Sequence, residues 1–209
     1  MTTRTKSISA GLVFLLLASC GSSGTTYTSP NKATPQSTAP ASVDTASTSE
    51  AGDVELSILS FDEIGELIAG KRGKVVVMDA WSTSCAPCLK DFHNLVELHK
   101  QYGPGQLACI SLSFDYEGAK GTTPEDVREP VLKFLRSQGA TFDNVVSNED
   151  SDALYRKLKL NSVPAIFVYD RAGKLRKRFE DEGAYEQVRP LVAELVKESS
   201  PADHSSEQP

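Results

Sequence analysis

The feature that most constrains this chain is an apolar, largely β-branched run that leads into two cysteines three positions apart. Lys74-Val75-Val76-Val77-Met78-Asp79 shows no alternation of apolar and polar residues. Such a run suits a strand covered on both faces, at the centre of a sheet. Trp81 follows, then Cys85-Ala86-Pro87-Cys88. Beyond Cys85, the residues Leu89, Phe92, Leu95 and Val96 recur at three- and four-residue spacings up to Tyr102. That spacing predicts a helix, and Gly103-Pro104-Gly105 stops it. The cysteine pair therefore stands at a strand-to-helix junction.

The rest of the chain alternates strand and helix signals around this unit. Val54 to Leu59 predicts a strand. Ser60 with Glu63 forms a capping box that opens a short helix toward Ile68. Leu107 to Phe114 is the next strand. Thr123 and Pro124 begin a further helix, which Pro130 interrupts before Val131 to Gln138 continues it. Phe142 to Val146 predicts a short strand and Asp152 to Leu158 a short helix. Val163 to Tyr169 is a strand entered through Pro164, and Lys174 to Phe179 returns from it as a hairpin. Tyr185 to Val196, dented by Pro190, is a closing helix. The fold class is α/β, with a central mixed β-sheet flanked by helices on both faces.

Cysteines three apart at a helix start can close a disulfide with little backbone movement. The unsatisfied amides and positive dipole of a helix N-terminus favour thiolate over thiol. Cys85, at the very start, is expected to be exposed and nucleophilic. Cys88, one turn in, is expected to be shielded and to resolve a mixed disulfide. Pro87 is tolerated because first-turn amides lack an intrahelical partner, and it stiffens the loop. Three other readings remain: half of a zinc site, a merely structural disulfide, and a Cu(I)-binding pair. Zinc needs two further ligands, but Cys109 sits in an apolar strand, and His93 and His99 are expected on the polar side of the helix. We expect no metal and no cofactor. Cys109 is expected to act as a small buried hydrophobe, and His93, His99 and His204 to be solvated.

The N-terminus reads as an address. Arg4 and Lys6 precede a nine-residue apolar stretch, Ala10 to Ala18, which is too short to span a bilayer core that needs about 20 residues. Residues 1–19 are expected to be a signal peptide. Leu17-Ala18-Ser19-Cys20 resembles the bacterial lipoprotein box, so Cys20 is the expected lipidation site and the membrane a partner through that anchor. In residues 21–52, fourteen of thirty-two are Ser or Thr, with Pro30, Pro35 and Pro40 among them. That composition cannot offset its ordering entropy, so 20–52 is expected to be a disordered tether. The folded domain is expected over 53–198 and a disordered tail over 199–209. Net charge is −6, and −8 from Cys20 onward. An acidic surface gives no basis for a nucleic-acid partner.

Lys74 to Cys88, KVVVMDAWSTSCAPC, resembles the thioredoxin superfamily, and within it the TlpA/ResA-like branch of membrane-tethered members. Trp81, four residues before the first cysteine, fits that branch, and Val163-Pro164 resembles its cis-proline loop. The segment from Asp115 to Val146 matches the insertion the branch carries, so the similarity covers roughly residues 54–197. The resemblance implies a thioredoxin fold. It implies a monomeric thiol–disulfide oxidoreductase on the extracytoplasmic side of a bacterial membrane. Its partners would be disulfide-bearing exported proteins and a membrane thiol reductant as electron donor. Cys85 would attack and Cys88 resolve, alternating between dithiol and a Cys85–Cys88 disulfide. Asp79, six residues before Cys85, would shuttle a proton for Cys88. Asp91 would tune the thiols. Pro164 would be cis beside the disulfide, with Val163, Trp81 and Pro87 toward the substrate. An oxidase or isomerase uses the same chemistry, and the motif does not set the direction. Ser84 departs from the pattern, since the family often has a large residue directly before the first cysteine. Ser82 stands where the Thr-x-x-Cys of a peroxiredoxin would have its threonine.

Overall fold

The computed structural model describes residues 53–198. The expected signal peptide, Cys20, tether and tail lie outside the described residues. Six strands form one sheet in the order β1-β4-β3-β2-β5-β6. In chain order these are β1 (Ser57–Leu59), β2 (Val75–Trp81), β3 (Leu107–Ser113), β4 (Asp143–Ser147), β5 (Ala165–Tyr169) and β6 (Leu175–Phe179). The first four pair in parallel, β5 runs antiparallel to β2, and β6 antiparallel to β5. The sheet is mixed, as the alternating signals implied.

Helices cover both faces. Val75 and Val77 of β2 lie under α3 (His93–Gln106) and α6 (Tyr185–Lys197), packed with Leu95, Leu98, Val188 and Val192. Val76, Met78 and Ala80 point the other way, toward α1 (Phe61–Ala69) and α5 (Ser151–Leu158), through Ile64 and Leu154. Every residue of β2 is buried, which explains its unbroken apolar run. A third cluster joins Trp81, Cys88 and Phe92 to Val131, Leu132 and Leu135 of α4 (Arg128–Gln138).

Local signals hold with a few corrections. The Ser60–Glu63 capping box is formed in both directions. Pro130 lies in the first turn of α4, and a separate 3-10 turn at Pro124–Val127 precedes it, as its proline predicted. Gly139 ends α4 in the left-handed region, with φ 65°, a conformation that favours glycine. The expected strand at Val54–Leu59 shortens to three residues. Side chains take its leading carbonyls instead: Asn144 Nδ2 donates to Glu55 O, and Arg128 to Leu56 O. The single helix expected from Cys85 to Tyr102 is two, α2 (Ala86–Asp91) and α3, broken at Phe92. Asn94 Nδ2 donates to Asp91 O, and His93 Nδ1 bonds Lys90 O, so side chains occupy carbonyls that a continuous helix gives to backbone amides. Gly103, at φ 61°, closes the regular part of α3.

The exposed edge strand β6 carries Arg176, Lys177 and Arg178. Arg176 lies 3.4 Å from Glu198, and Arg178 2.7 Å from Glu180. Charged side chains on an edge discourage pairing with another chain.

Candidate active site

The site lies where β2 gives way to α2. Cys85 is the N-cap of α2, and its sulfur accepts a hydrogen bond from the Cys88 amide at 3.2 Å. Cys85 and Cys88 are disulfide-bonded, with Cα atoms 5.2 Å apart. Cys85 is partly exposed, whereas Cys88 is 3% exposed and packs with Trp81 and Phe92. The asymmetry follows from position on the helix, with one sulfur at the mouth and one a turn inside. Pro87 sits in the first turn and is half-buried.

Behind the pair lies Asp79. It projects from β2 on the same face as Val75 and Val77, into the space between α3 and α6. It is 4% exposed, and the Tyr185 hydroxyl donates to its Oδ2 at 2.6 Å. Burial pushes its carboxyl up to about 7; the Tyr185 hydrogen bond pulls it down, and the charge of Asp91 adds to the rise. The same burial pushes the Tyr185 phenol well above its ordinary range, with the Asp79 charge next in importance. Asp79, Cys88, Asp91, Pro164 and Tyr185 line one cleft of about 10 Å³, close to the room a single water needs. Asp91 is anchored there by the Gly183 amide, 3.1 Å from its Oδ2.

The antiparallel register of β2 and β5 pairs Ala80 with Ala165. That pairing carries Pro164, the residue before Ala165, to the cysteine end of the sheet. The Val163–Pro164 peptide is cis. Val163 packs against the cluster that holds Trp81, Cys85 and Cys88. The chain thus brings Cys85, Cys88, Asp79, Asp91, Val163 and Pro164 to one place from two separate stretches of sequence, 79–91 and 163–164.

Trp81 is a packing residue beneath the disulfide and not a substrate contact: it is 0% exposed, with Phe92 and Phe134 rings 5.0 and 4.9 Å from its own. It can only support the disulfide from below, because all of β2 is interior. His99 also differs from expectation. It is half-buried, lies 5.3 Å from the Phe142 ring, and its Nδ1 is buried without a partner. Burial lowers its pKa. His93 is exposed, as expected. Cys109 is a buried free thiol that donates to Leu95 O at 3.7 Å. Among the described residues, no three His, Cys, Asp or Glu side chains converge as a metal site would require.

Sequence reasoning missed two groups. Tyr185 is the first: it opens a helix face that is otherwise Val and Leu, and a lone phenol on such a face was the available signal. The second is Asp115, treated only as the start of an insertion. Ser111 and Ser113, alternating inward along an apolar strand that leads to Asp115, mark a polar path there.

No family model matches this chain. It is similar to the thioredoxin-like protein YneN of Bacillus subtilis, at 24% identity over 127 residues, covering 61% of this chain and 67% of that protein. It is similar to the thiol-disulfide oxidoreductase ResA of Geobacillus thermodenitrificans, at 27% identity over 109 residues, covering 51% of this chain and 54% of that one. The chain thus spans two thirds of one relative and about half of the other. The solved structure of a thiol-disulfide isomerase from Corynebacterium glutamicum superposes with a TM-score of 0.51 at 24% identity, covering 62% of this chain and 84% of that one, which shows a shared fold. With this sheet order and this cysteine pair at a helix mouth, the chain has a thioredoxin-like fold, and the relatives it resembles are thioredoxin-like thiol–disulfide oxidoreductases.

Proposed function

We propose that this protein is an extracytoplasmic thiol–disulfide oxidoreductase that reduces disulfides in exported proteins through Cys85 and Cys88. The observation that carries this reading is the asymmetry of the pair. Cys85 is partly exposed at a helix N-terminus, and Cys88 is buried beside a buried acid. In the forward reaction, the Cys85 thiolate attacks a substrate disulfide. One substrate sulfur leaves as a thiolate, which takes a proton from water, and a Cys85–substrate mixed disulfide forms. Cys88 then gives its proton to Asp79 through the cleft and attacks the Cys85 sulfur. The second substrate thiol leaves, and the Cys85–Cys88 disulfide closes, so two electrons have passed to the substrate. A carboxyl poised near 7 can take that proton and return it at neutral pH. Asp91 supports this by holding the Asp79 proton affinity high. Beside the cis Pro164, the Val163 backbone would pair with an extended substrate segment.

Residues 1–20 support the location. A basic start, a nine-residue apolar stretch and a lipoprotein-like box at Cys20 fit export followed by lipid anchoring. Among the described residues, no helix is long and apolar enough to cross a membrane. The domain, over 53–198, would then work at the end of a Ser/Thr-rich tether, as a monomer, recharged by a membrane thiol reductant. The decisive experiment is insulin reduction by the purified protein with a dithiol donor. Reduction that vanishes in Cys85→Ser supports the enzyme; equal rates in the two proteins remove it. A strongly negative midpoint potential for the pair supports the reducing direction, and a potential near those of oxidases reverses it.

A further inference from the structure

The loop that delivers Cys85 is Ser82-Thr83-Ser84. It has no glycine or proline to fix its shape, and its hydroxyls compete for its own backbone. Yet it is bound tightly, and one side chain does most of the binding. β3 ends beside Trp81, where Ser113 is its register partner. Two residues on, Asp115 meets the loop. The Thr83 amide donates to Asp115 Oδ1 at 3.0 Å and to Oδ2 at 3.2 Å. The Thr83 hydroxyl donates to Oδ1 as well. The Ser82 hydroxyl reaches Oδ1 at 3.3 Å, and the Ser113 hydroxyl Oδ2 at 2.6 Å.

The network continues to the cysteine. Ser82 Oγ accepts from the Ser84 amide at 3.2 Å and lies 2.9 Å from Ser84 Oγ. The Cys85 amide donates to Ser82 O at 3.1 Å. Each residue from Ser82 to Cys85 is therefore tied to Asp115 directly or through Ser82. Ser82 itself is only 7% exposed, so its hydroxyl cannot exchange these partners freely for water.

We propose that Asp115 is a positioning residue for thiol exchange: it locks the Ser82–Ser84 loop so that the Cys85 sulfur meets the Cys88 amide at the mouth of α2. The thiolate that attacks substrate gains its stability from that amide and from the helix end. A loop free to rotate would move the sulfur off both. This rests on the reading of Cys85 as the attacking thiol, but it makes its own demand on the chain. A plain structural cap would cost stability alone when removed, whereas a positioning residue must also alter the thiolate.

The test is alkylation of reduced Cys85 by iodoacetamide across a pH series, read by mass on the peptide that carries it. The midpoint potential of the pair in glutathione buffers is measured alongside. In Asp115→Ala, alkylation at pH 7 slows by about tenfold, the midpoint of the pH profile rises, and the potential becomes more negative, since misplaced reacting atoms lose their preset contacts. Asp115→Asn keeps an acceptor oxygen and restores the rate to within about threefold. Equal changes in Ala and Asn would assign the effect to charge rather than position and overturn the proposal. So would an Ala variant whose profile and potential match the unmodified protein while only its melting temperature falls. If Asp115→Ala does not fold, Thr83→Val removes one donor hydroxyl and retains the branched side chain. It should shift the profile in the same direction, and an unshifted profile overturns the proposal. Alkylation and potential need no protein substrate, so a failed insulin assay sinks the oxidoreductase reading and leaves this result standing.

Discussion

On the β5 side of the disulfide, Asp79 is 4% exposed and accepts one hydrogen bond among the described residues, from Tyr185. Past the end of β3, Asp115 is half-buried and takes hydrogen bonds from Ser82, Thr83 and Ser113. In the roles proposed above, the two acids serve the same pair of sulfurs in opposite ways. Where donors are scarce, burial dominates and the carboxyl holds a proton near neutrality. Where donors surround it, the lone pairs are committed to the loop, and the group is an anchor. The lesson is that an acid's use depends on its hydrogen-bond supply rather than on its distance from the chemistry.

The strongest way to break this comparison is to remove what Asp79 is held to serve. In Cys88→Ser, turnover in the insulin assay should fall at least about 1000-fold, as it does when a group essential to a concerted unit is lost. A Cys85–substrate adduct should accumulate and be visible by mass. Turnover near that of the unmodified protein would leave Asp79 with no role in resolution.

The next effect is on stability, and its sign follows from the raised carboxyl. Unfolded, Asp79 loses its proton near 3.8; folded, it does so at about 7. The folded state binds the proton more tightly, so the contribution is whole below the lower value and is lost as pH rises toward the upper one. Urea denaturation should show the protein losing up to about 4 kcal/mol from this group between pH 4 and 7. Asp79→Asn should flatten that slope and be the more stable protein at pH 8. A variant with the slope intact would mean that Asp79 is not the group that is starved of donors.

In the same variant, dithiol exchange should slow by about 100-fold, within the usual range for losing a general acid–base group. The inflection near pH 7 in the rate profile should vanish. Asp115 variants should keep that inflection, which separates a proton carrier from an anchor. Tyr185→Phe should do less. Losing the Tyr185 donor to Oδ2 raises the Asp79 carboxyl further and moves the inflection above 7, with a rate change under about tenfold. An inflection that moves downward would contradict the direction in which the Tyr185 bond acts.

The two flanks were unequally legible in the sequence. Asp79 could be read because an acid that ends an unbroken buried run needs a use or a partner. The sheet could be read from Val75–Met78 for the same reason, since burial on both faces leaves a one-dimensional mark. Tyr185 and Asp79 are 106 positions apart, and Asp115 and Thr83 are 32 apart. Their meetings depend on register and helix docking, which no local pattern records. That Trp81 makes no substrate contact is hidden for a related reason: a motif gives spacing along the chain, but it does not say that the whole strand is interior. The burial of His99 is illegible in the same way, because a helix face is polar or apolar only relative to what packs on it, and here Phe142 does.

Cys109 supplies the smallest effect and the cleanest control on the comparison. Its neighbours in β3 pair with β2 so that Val77 is its register partner, two residues before Asp79 on the same face. It is 1% exposed, and burial, reinforced by the Asp79 charge, pushes its thiol far above the ordinary range. It therefore has the sulfur of Cys85 without the helix mouth or access to water. If water access and the helix end make the nucleophile, Cys109→Ala should leave the Cys85–Cys88 potential, the exchange rate and the inflection near 7 unchanged. Thermal unfolding should show a loss of about 1 kcal/mol for the vacated volume. A shifted inflection would show that the donor-poor pocket around Asp79 extends through β3 to this thiol. The boundary between the two flanks would then have to be drawn one strand further out.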